Sequence, residues 1–414
     1  VTDREALLRS ILDNPDDDTL RLIYADAIEE ESDSRRAAFI RAQIEYARLP
    51  EYDPVRIRAR YHDREKMFGA RWMMELPALP EGLRWATHPF RRGFPSGIQS
   101  RDAATFVEHA DGLFRQFPID TLELSIARLS ETREFTDCPW ISHLVRLSLP
   151  EGLSGQAAGR LIGSPHYQRL RELHIGAGLT TNSTASSLVR SRLFKQLTSL
   201  GFRNDRQGGG TLVNELSQLA DPPRLRTLDL SGNRLGAEHL QRLLASPMVS
   251  TVDDLDLSDN HLGTAGIEVM AAASLPFLRS LHLVRARPET EGIRALREAR
   301  FLPELRSLAL GGNVLPPQAG EVLAGAAGVA NLLVLDLRDN RLGDAGAAAL
   351  ASSPFLRNLV LLDLSTNEIE DEGAEAIAES PHLNGLIYLD LHANMISTNS
   401  AARLKRRFGD RVFL

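Results

Sequence analysis

LRTLDLSGNRL from Leu225, LLVLDLRDNRL from Leu332 and LVLLDLSTNEI from Leu359 are three copies of one phrase, and their spacing decides the fold. Clear copies start at Leu225, Val252, Leu278, Leu305, Leu332, Leu359 and Leu386, a step of 27 residues broken by a single step of 26. Weaker copies begin at Leu197, Leu170, Leu144 and Ile119 and bring the set to eleven. A fixed period in this range marks a solenoid, in which no unit can bury its leucines alone and stacked neighbours share one core.

Within one copy, the alternation Leu228, Asp229, Leu230, Ser231 has the period of two of a short strand with leucines inward. A turn follows. Asn233, Asn260, Asn313, Asn340, Asn367 and Asn394 form one column there, broken by Ala286, and an amide at that point can satisfy backbone groups left open as the chain leaves the strand. GAEHLQRLLASP then places Leu240, Leu243 and Leu244 on one helical face before Pro247. The pattern L-x-x-L-x-L-x-x-N-x-L resembles the leucine-rich repeat, and its period with a full helix most resembles the ribonuclease-inhibitor class. The resemblance implies an α/β solenoid with parallel strands on the inner curve and helices outside. The four earliest copies lack the Asn, and RNDRQGGG at 203 to 210 reads as a glycine-rich excursion.

The first 75 residues read as a separate small all-α domain. Thr2 and Glu5 have capping-box spacing, and Leu7, Leu8, Ile11 and Leu12 give a short helix ending near Pro15. A second helix is expected from about Thr19 to Glu31. A third carries Ala37, Ile40, Ile44 and Ala47 on one face, and a fourth opens on Asp53 and Pro54. DNPDDDTLRLIYADAIEE followed by RRAAFIRAQIEYARL resembles the bacterial repeat-companion domain over roughly residues 2 to 50. Its core phrase falls on Arg21 to Glu30, with Ala27 and Ile28 where Trp and Leu are typical. Phe39, Ile40, Arg41 and Gln43 match a second phrase, and Arg91 to Phe94 (RRGF) a third. The resemblance implies a bacterial origin and no particular activity.

Residues 76–118 read as a linker and amino-terminal cap, with Ser100 capping a helix whose apolar face is Phe106, Leu113, Phe114 and Phe117. The repeats occupy 119–414, closed by a second cap from Ala401 to Leu414 with a basic patch at Lys405, Arg406 and Arg407. A net charge of -7, 43% hydrophobic and 25% charged residues fit a soluble chain with a large core. Cys138 is the single cysteine, so no intrachain disulfide can form; with no apolar leader and no long apolar run, a cytoplasmic protein without membrane contact is expected.

Motifs for chemistry are absent: no HExxH, P-loop, GxSxG or CxxC, and the 11 histidines are scattered. No cofactor, no metal and no catalytic residue is expected. Asp13, Asp16, Asp17 and Asp18 lack the central Gly and distal Glu of a calcium loop and read as a solvated turn favouring the next helix amino terminus. An enzymatic alternative places a metal-dependent hydrolase site on Asp17, Asp18, Asp26 and Glu30. A nucleic-acid alternative uses the arginines of residues 35 to 71, among them Arg56, Arg60 and Arg64 at helical spacing, against an acidic chain with no aromatics interleaved.

The inner curve offers more. Third, fifth and seventh positions of each copy point away from the leucine core. The fifth reads Glu123, Ser148, His174, Gly201, Asp229, Asp256, His282, Ala309, Asp336, Asp363 and Asp390. Carboxylates about 5 Å apart repel by roughly 0.8 kcal/mol per pair in water, so the column is either repeat consensus or a cation-seeking stripe. At the third position Thr227, Asp254, Ser280 and Ser307 give way to Val334, Leu361 and Tyr388. Apolar groups beside charges suit an interface, and Val334, Asp336, Arg338, Leu361, Asp363, Tyr388, Asp390 and His392 form the expected partner-binding patch, with Tyr388 as its expected hot spot unless the carboxyl-terminal tail folds over the apolar groups. A protein-binding scaffold or adaptor follows, as a sensor or inhibitor in a bacterial regulatory or defence system, with no oligomeric state implied.

Overall fold

The computed structural model describes residues 3–125, 129–150, 155–176, 182–203, 209–219 and 221–414; Thr2 of the expected capping box and most of the 203–210 excursion lie outside them. The chain divides into two compact units, Val1–Leu197 and Thr198–Leu414.

The first unit opens with α1 (Asp3–Asp13), α2 (Asp18–Glu30), α3 (Ser34–Arg48), α4 (Pro54–His62), α5 (Arg64–Phe68) and α6 (Ala70–Met73). Side-chain caps set three of these starts: Asp17, Asp33 and Asp53 accept from the backbone N–H groups of Thr19, Arg36 and Val55. Pro54 sits in the first turn, where its missing N–H is not needed. Ala37, Ile40 and Ile44 of α3 are buried as their spacing implies, whereas Ala47 faces solvent.

Then come β1 (Leu83–Trp85), β2 (Phe90–Arg91), β3 (Phe94–Pro95), β4 (Gly97–Ser100), α7 (Ala103–Phe114) and β5 (Thr121–Leu124). Strand β1 pairs antiparallel with β4, and β4 pairs parallel with β5, so the parallel ladder begins one strand before the first recognisable repeat. Ser100 is the last residue of β4 and does not cap α7. That role falls to Asp102, whose carboxylate accepts from Thr105 N–H at 2.7 Å. The unit continues with α8 (Leu129–Asp137), β6 (Arg146–Leu149), α9 (Gly155–Ile162), β7 (Glu172–Ile175), α10 (Asn182–Arg190) and α11 (Arg192–Gln196), and β5, β6 and β7 are parallel neighbours.

The three phrases singled out in the first hundred residues fit into one another. Ile40 and Tyr24 share a buried cluster with Phe94, and the Tyr24 and Phe94 rings meet edge-on at 5.3 Å. Phe39 stacks on Trp72 at 4.5 Å and meets Phe90 at 5.3 Å. Arg41 reaches Asp26 and Glu29, both at 2.6 Å, and Gln43 donates to the carbonyls of Lys66 and Met67. Gly93, at φ +83°, lies so close to Ile40 that a Cβ would stand 2.6 Å from the Ile40 Cα. Arg36 donates to Gly93 O at 2.8 Å and lies over the rings of Phe39, Trp72 and Phe90. Burial pushes the guanidinium of Arg36, and that of Arg21 over Phe94, down to about 10.

The second unit is β8 (Ser199–Phe202), α12 (Gly209–Ser217), β9 (Thr227–Asp229), α13 (Ala237–Ala245), β10 (Asp254–Asp256), α14 (Gly263–Ala271), β11 (Ser280–His282), α15 (Glu289–Arg297), β12 (Ser307–Ala309), α16 (Pro317–Ala324), β13 (Val334–Asp336), α17 (Gly343–Ser352), β14 (Leu361–Asp363), α18 (Asp371–Glu379), β15 (Tyr388–Asp390), α19 (Thr398–Phe408) and β16 (Val412–Phe413). From β8 to β16 every strand pairs parallel with the next, with Leu228, Leu255, Leu281, Leu308, Leu335, Leu362 and Leu389 in one register row. That row is fully buried, and each such leucine contributes about 1.5–3 kcal/mol relative to an exposed one. Each of the eleven repeat starts read from the sequence precedes a strand.

Three further columns hold the stack. Asn340 shows the first: its Oδ1 accepts from the N–H groups of Asn313 and Leu315 one repeat back, while its Nδ2 donates to Leu310 O and Leu337 O. Asn260 and Asn394 do the same between their neighbours. Ser246, Ser353 and Ser380, each before a proline, donate to Leu216 O, Ala324 O and Ala351 O of the preceding helix. Gly292, Gly320, Gly346 and Gly373 let the helices approach; a Cβ on Gly320 would meet the Gly346 Cα at 3.1 Å. Helix α19 and β16 close the end, with Arg407 donating to Ile377 O and Ala378 O and Arg411 to Leu386 O.

Candidate functional site

The strand face of the second unit carries the expected patch. Register places Val334, Leu361 and Tyr388 side by side, and Asp336, Asp363 and Asp390 beside them. The structure therefore brings six of the eight residues into two adjacent columns, with Arg338 and His392 exposed at the strand exits. The face is closely packed, because parallel strands about 4.8 Å apart press their outward side chains together. Leu361 is consequently buried, at 8% exposure, and Val334 is half-buried. The tail does fold over the end of the patch: Phe413 of β16 lies against the Tyr388 ring at 4.6 Å, and the Tyr388 hydroxyl donates to Asp390 Oδ2 at 2.7 Å. Tyr388 is thus committed to its own chain on two sides, and Val334, Asp336, Arg338, Asp363 and His392 are the accessible part.

The aspartate column has a local task that periodicity alone does not reveal. In each case Oδ1 accepts the N–H two residues on: Ser231 to Asp229 at 3.0 Å, Ser258 to Asp256 at 2.8 Å, Arg338 to Asp336 at 3.1 Å, Ser365 to Asp363 at 3.0 Å and His392 to Asp390 at 3.0 Å. Each carboxylate thereby closes a turn where the strand ends. The second oxygens differ. Arg203 holds that of Asp229, Arg338 lies 3.4 Å from that of Asp336, and Tyr388 binds that of Asp390. Among the described residues nothing hydrogen-bonds the Oδ2 atoms of Asp256 and Asp363. Burial raises the Asp336 carboxyl above its ordinary range; Arg338 opposes this and Asp363 adds to it. Burial likewise raises Asp256, with Asp229 contributing.

A second cluster on the same face was not singled out from the sequence, although the lone histidine between aspartate columns was a usable signal. His282 Nε2 stands 2.9 Å from Ser280 Oγ and 3.4 Å from Asp254 Oδ1. Asp256 is its register neighbour, and Asp229 lies one strand further. Beyond it Ser307, Ala309 and Gly311 leave a low stretch, onto which Arg338 leans: a Cβ on Gly311 would meet the Arg338 Cγ at 3.0 Å.

The residues of the alternative sites are engaged elsewhere. Asp17 caps α2, Asp18 pairs with Arg48 at 2.8 Å, Asp26 pairs with Arg41, and Glu30 is exposed. No group of three or more His, Cys, Asp or Glu among the described residues is placed to hold a metal ion. Arg56 donates to Tyr46 O and Leu49 O, closing the end of α3, and pairs with Glu51, as does Arg60; Arg64 lies over Phe68. A cavity of about 490 Å³ in the first unit lies between the α1–α2 turn and Ser142, His143, Gln168 and Arg169, bridged by Arg169 and Asp16 at 2.7 Å. Cys138 is buried, and burial raises its thiol. No helix among the described residues is long and apolar enough to cross a membrane.

With a strand and a helix in each period and an amide column along most of the second unit, the chain carries leucine-rich repeats, and sequence models of that repeat match residues 224–244, 250–271, 330–351 and 355–378. Over 134 residues the chain is 31% identical to Tonsoku-like protein of Bos taurus, a match that covers 28% of this chain and only 10% of that protein. A solved internalin from Listeria monocytogenes aligns over 70% of this chain and 78% of its own, at 17% identity and a TM-score of 0.38.

Proposed function

We propose that this protein is a non-enzymatic scaffold or adaptor that recognises a protein partner on the strand face of its carboxyl-terminal repeats. The observation that supports this most is the juxtaposition at β13–β15 of an apolar column, half-buried at Val334 and Tyr388 and buried at Leu361, with a carboxylate column, flanked by the exposed Arg338 and His392, on a face whose backbone is fixed by the asparagine ladder. A rigid face binds without first losing conformational freedom, so little of its contact energy is spent on ordering. A role as sensor or inhibitor in a bacterial regulatory or defence system, in the cytoplasm, is the narrower form of the proposal and rests on analogy with the repeat class, whereas a companion role for the amino-terminal helices rests on the resemblance of residues 2 to 50 to the repeat-companion domain.

The test uses charge reversal at the accessible residues, since truncating Tyr388 would also disturb the tail. A partner captured from the source organism by the full chain is purified and its affinity measured by calorimetry. Asp363→Arg with Arg338→Glu should weaken binding at least tenfold while leaving the circular dichroism spectrum unchanged. An unaltered affinity would remove this face from the interface.

A further inference from the structure

Among the described residues of the strand face of β9–β12, His282 is the one histidine, and what faces it is unevenly compensated. From β9 comes Asp229, from β10 Asp254 and Asp256, from its own strand Ser280, and from β12 only Ser307 and Ala309, neither of which carries charge. Across β12, Asp336 also acts on it electrostatically, with Arg338 drawn to that carboxylate at 3.4 Å. The fixed cation on the near side, Arg203, is bound to Asp229. Asp254 and Asp256 therefore have His282 as their counter-charge, with Nε2 at 3.4 Å from Asp254. The imidazole is about one third exposed, with a side-chain exposure of 35%, so it exchanges protons with solvent freely.

We propose that His282 is a proton-dependent counter-charge for Asp254 and Asp256, so that this face accepts a cationic partner segment, carrying lysine or arginine, once His282 is neutral and refuses it while His282 is protonated. The occupant follows from charge: with the imidazole neutral, Asp229, Asp254 and Asp256 face a single guanidinium among the described residues, and an ammonium or guanidinium from outside replaces the charge that was lost. Burial by itself would make the ring harder to protonate, but the hydrogen bond with Asp254 and the charges of Asp254, Asp256 and Asp229 outweigh it, and the net shift is upward from 6.5. A pH step through the His282 transition thus moves the face between its two states. The inference rests on the same strand face as the proposed function but on different repeats.

Two measurements on the full chain test it. Imidazole proton resonances, assigned with His282→Gln, should show His282 titrating above the ordinary histidine range and falling back when Asp254 is replaced by Asn. Titration at or below the ordinary value, or indifference to Asp254→Asn, overturns the counter-charge. Hexalysine binding at low ionic strength should tighten on the order of five- to tenfold as pH rises through the His282 transition. In His282→Gln, with an unchanged circular dichroism spectrum, binding should stay at the high-pH level throughout. A variant that keeps the wild-type pH dependence, or a wild type that does not bind hexalysine at any pH, overturns the cationic occupant. Neither experiment involves Asp363 or the captured partner, so failure here and failure of the β13–β15 interface are read separately.

Discussion

The helices at the start of the first unit and the repeats of the second solve the same problem in opposite ways. The helices are held by contacts made once: Phe39 on Trp72, Tyr24 on Phe94, Arg36 over three rings, and Gly93 against Ile40. The repeats are held by small polar contacts made again and again, an amide or hydroxyl of one repeat on the backbone of the last. Unique packing concentrates stability in a few large side chains, whereas periodic packing spreads it over equivalent positions. The difference also determines which surface is free. A helix whose aromatic face is spent on its neighbours has little left to present, while a solenoid keeps an entire strand face out of its core.

The sharpest way to break this contrast is to remove one rung of the ladder. Asn340→Ala leaves the N–H groups of Asn313 and Leu315 without an acceptor in a buried setting, while Leu310 O and Leu337 O each lose one of two amide donors and keep those of Asn313 and Asn367. At about 1–3 kcal/mol for each unsatisfied group, and with partial relaxation, a loss of about 4 kcal/mol is expected in urea denaturation followed by circular dichroism. All three tryptophans, Trp72, Trp85 and Trp140, lie in the first unit. Tryptophan fluorescence followed in the same titration should report a smaller shift. An equal shift would show that one unit does not melt without the other.

Gly93→Ala is the counterpart among the unique contacts. Its Cβ would stand 2.5 Å from the Ile40 Cγ1 and 2.6 Å from the Ile40 Cα, at a φ of +83° that side chains rarely adopt. A loss of about 3 kcal/mol is expected, read this time mainly by tryptophan fluorescence through Trp72 beside Phe39. If this change were as mild as an ordinary surface substitution, the junction of the three phrases would not be the keystone of that packing.

A smaller effect probes the helix side of the ladder. Ser353 donates to Ala324 O at 2.6 Å and accepts from Phe355 N–H at 3.3 Å, so Ser353→Ala should cost about 1 kcal/mol. The same change at the exposed Ser352, whose hydroxyl bonds only within its own helix, should be near neutral.

What was legible in the sequence divides along the same line. Periodicity exposes whatever recurs: the leucine row, the amide column and the strand–helix alternation could be placed from spacing because each was seen many times. The serine–proline and glycine columns recur as well, but their meaning lies in the close approach of one helix to the next, which spacing does not convey. Contacts made once were hidden. Nothing in RRGF says that its glycine meets Ile40, and Ser100 was a plausible cap until β4 extended to it and left Asp102 to do the work. On the candidate site, the columns at β13–β15 were visible, whereas the tail over Tyr388 and the turn-closing role of each aspartate required the backbone itself.

That last role yields the finest discrimination, between an aspartate column kept for its oxygen and one kept for its charge. Asp336→Asn preserves an acceptor for Arg338 N–H and removes the carboxylate's repulsion with Asp363. The folded protein holds the Asp336 proton more tightly than the ordinary value of 3.8 implies, so the group's favourable contribution is complete below that value and is lost as pH rises through the higher folded one. At neutral pH the ionised carboxylate is therefore a small net cost. The asparagine variant should be more stable by roughly half a kcal/mol at pH 7, with the gain vanishing in acid, in chemical denaturation at the two pH values. A loss of stability at pH 7 would mean that the ion pair with Arg338 outweighs burial, and that charge at this position serves the fold and not a partner.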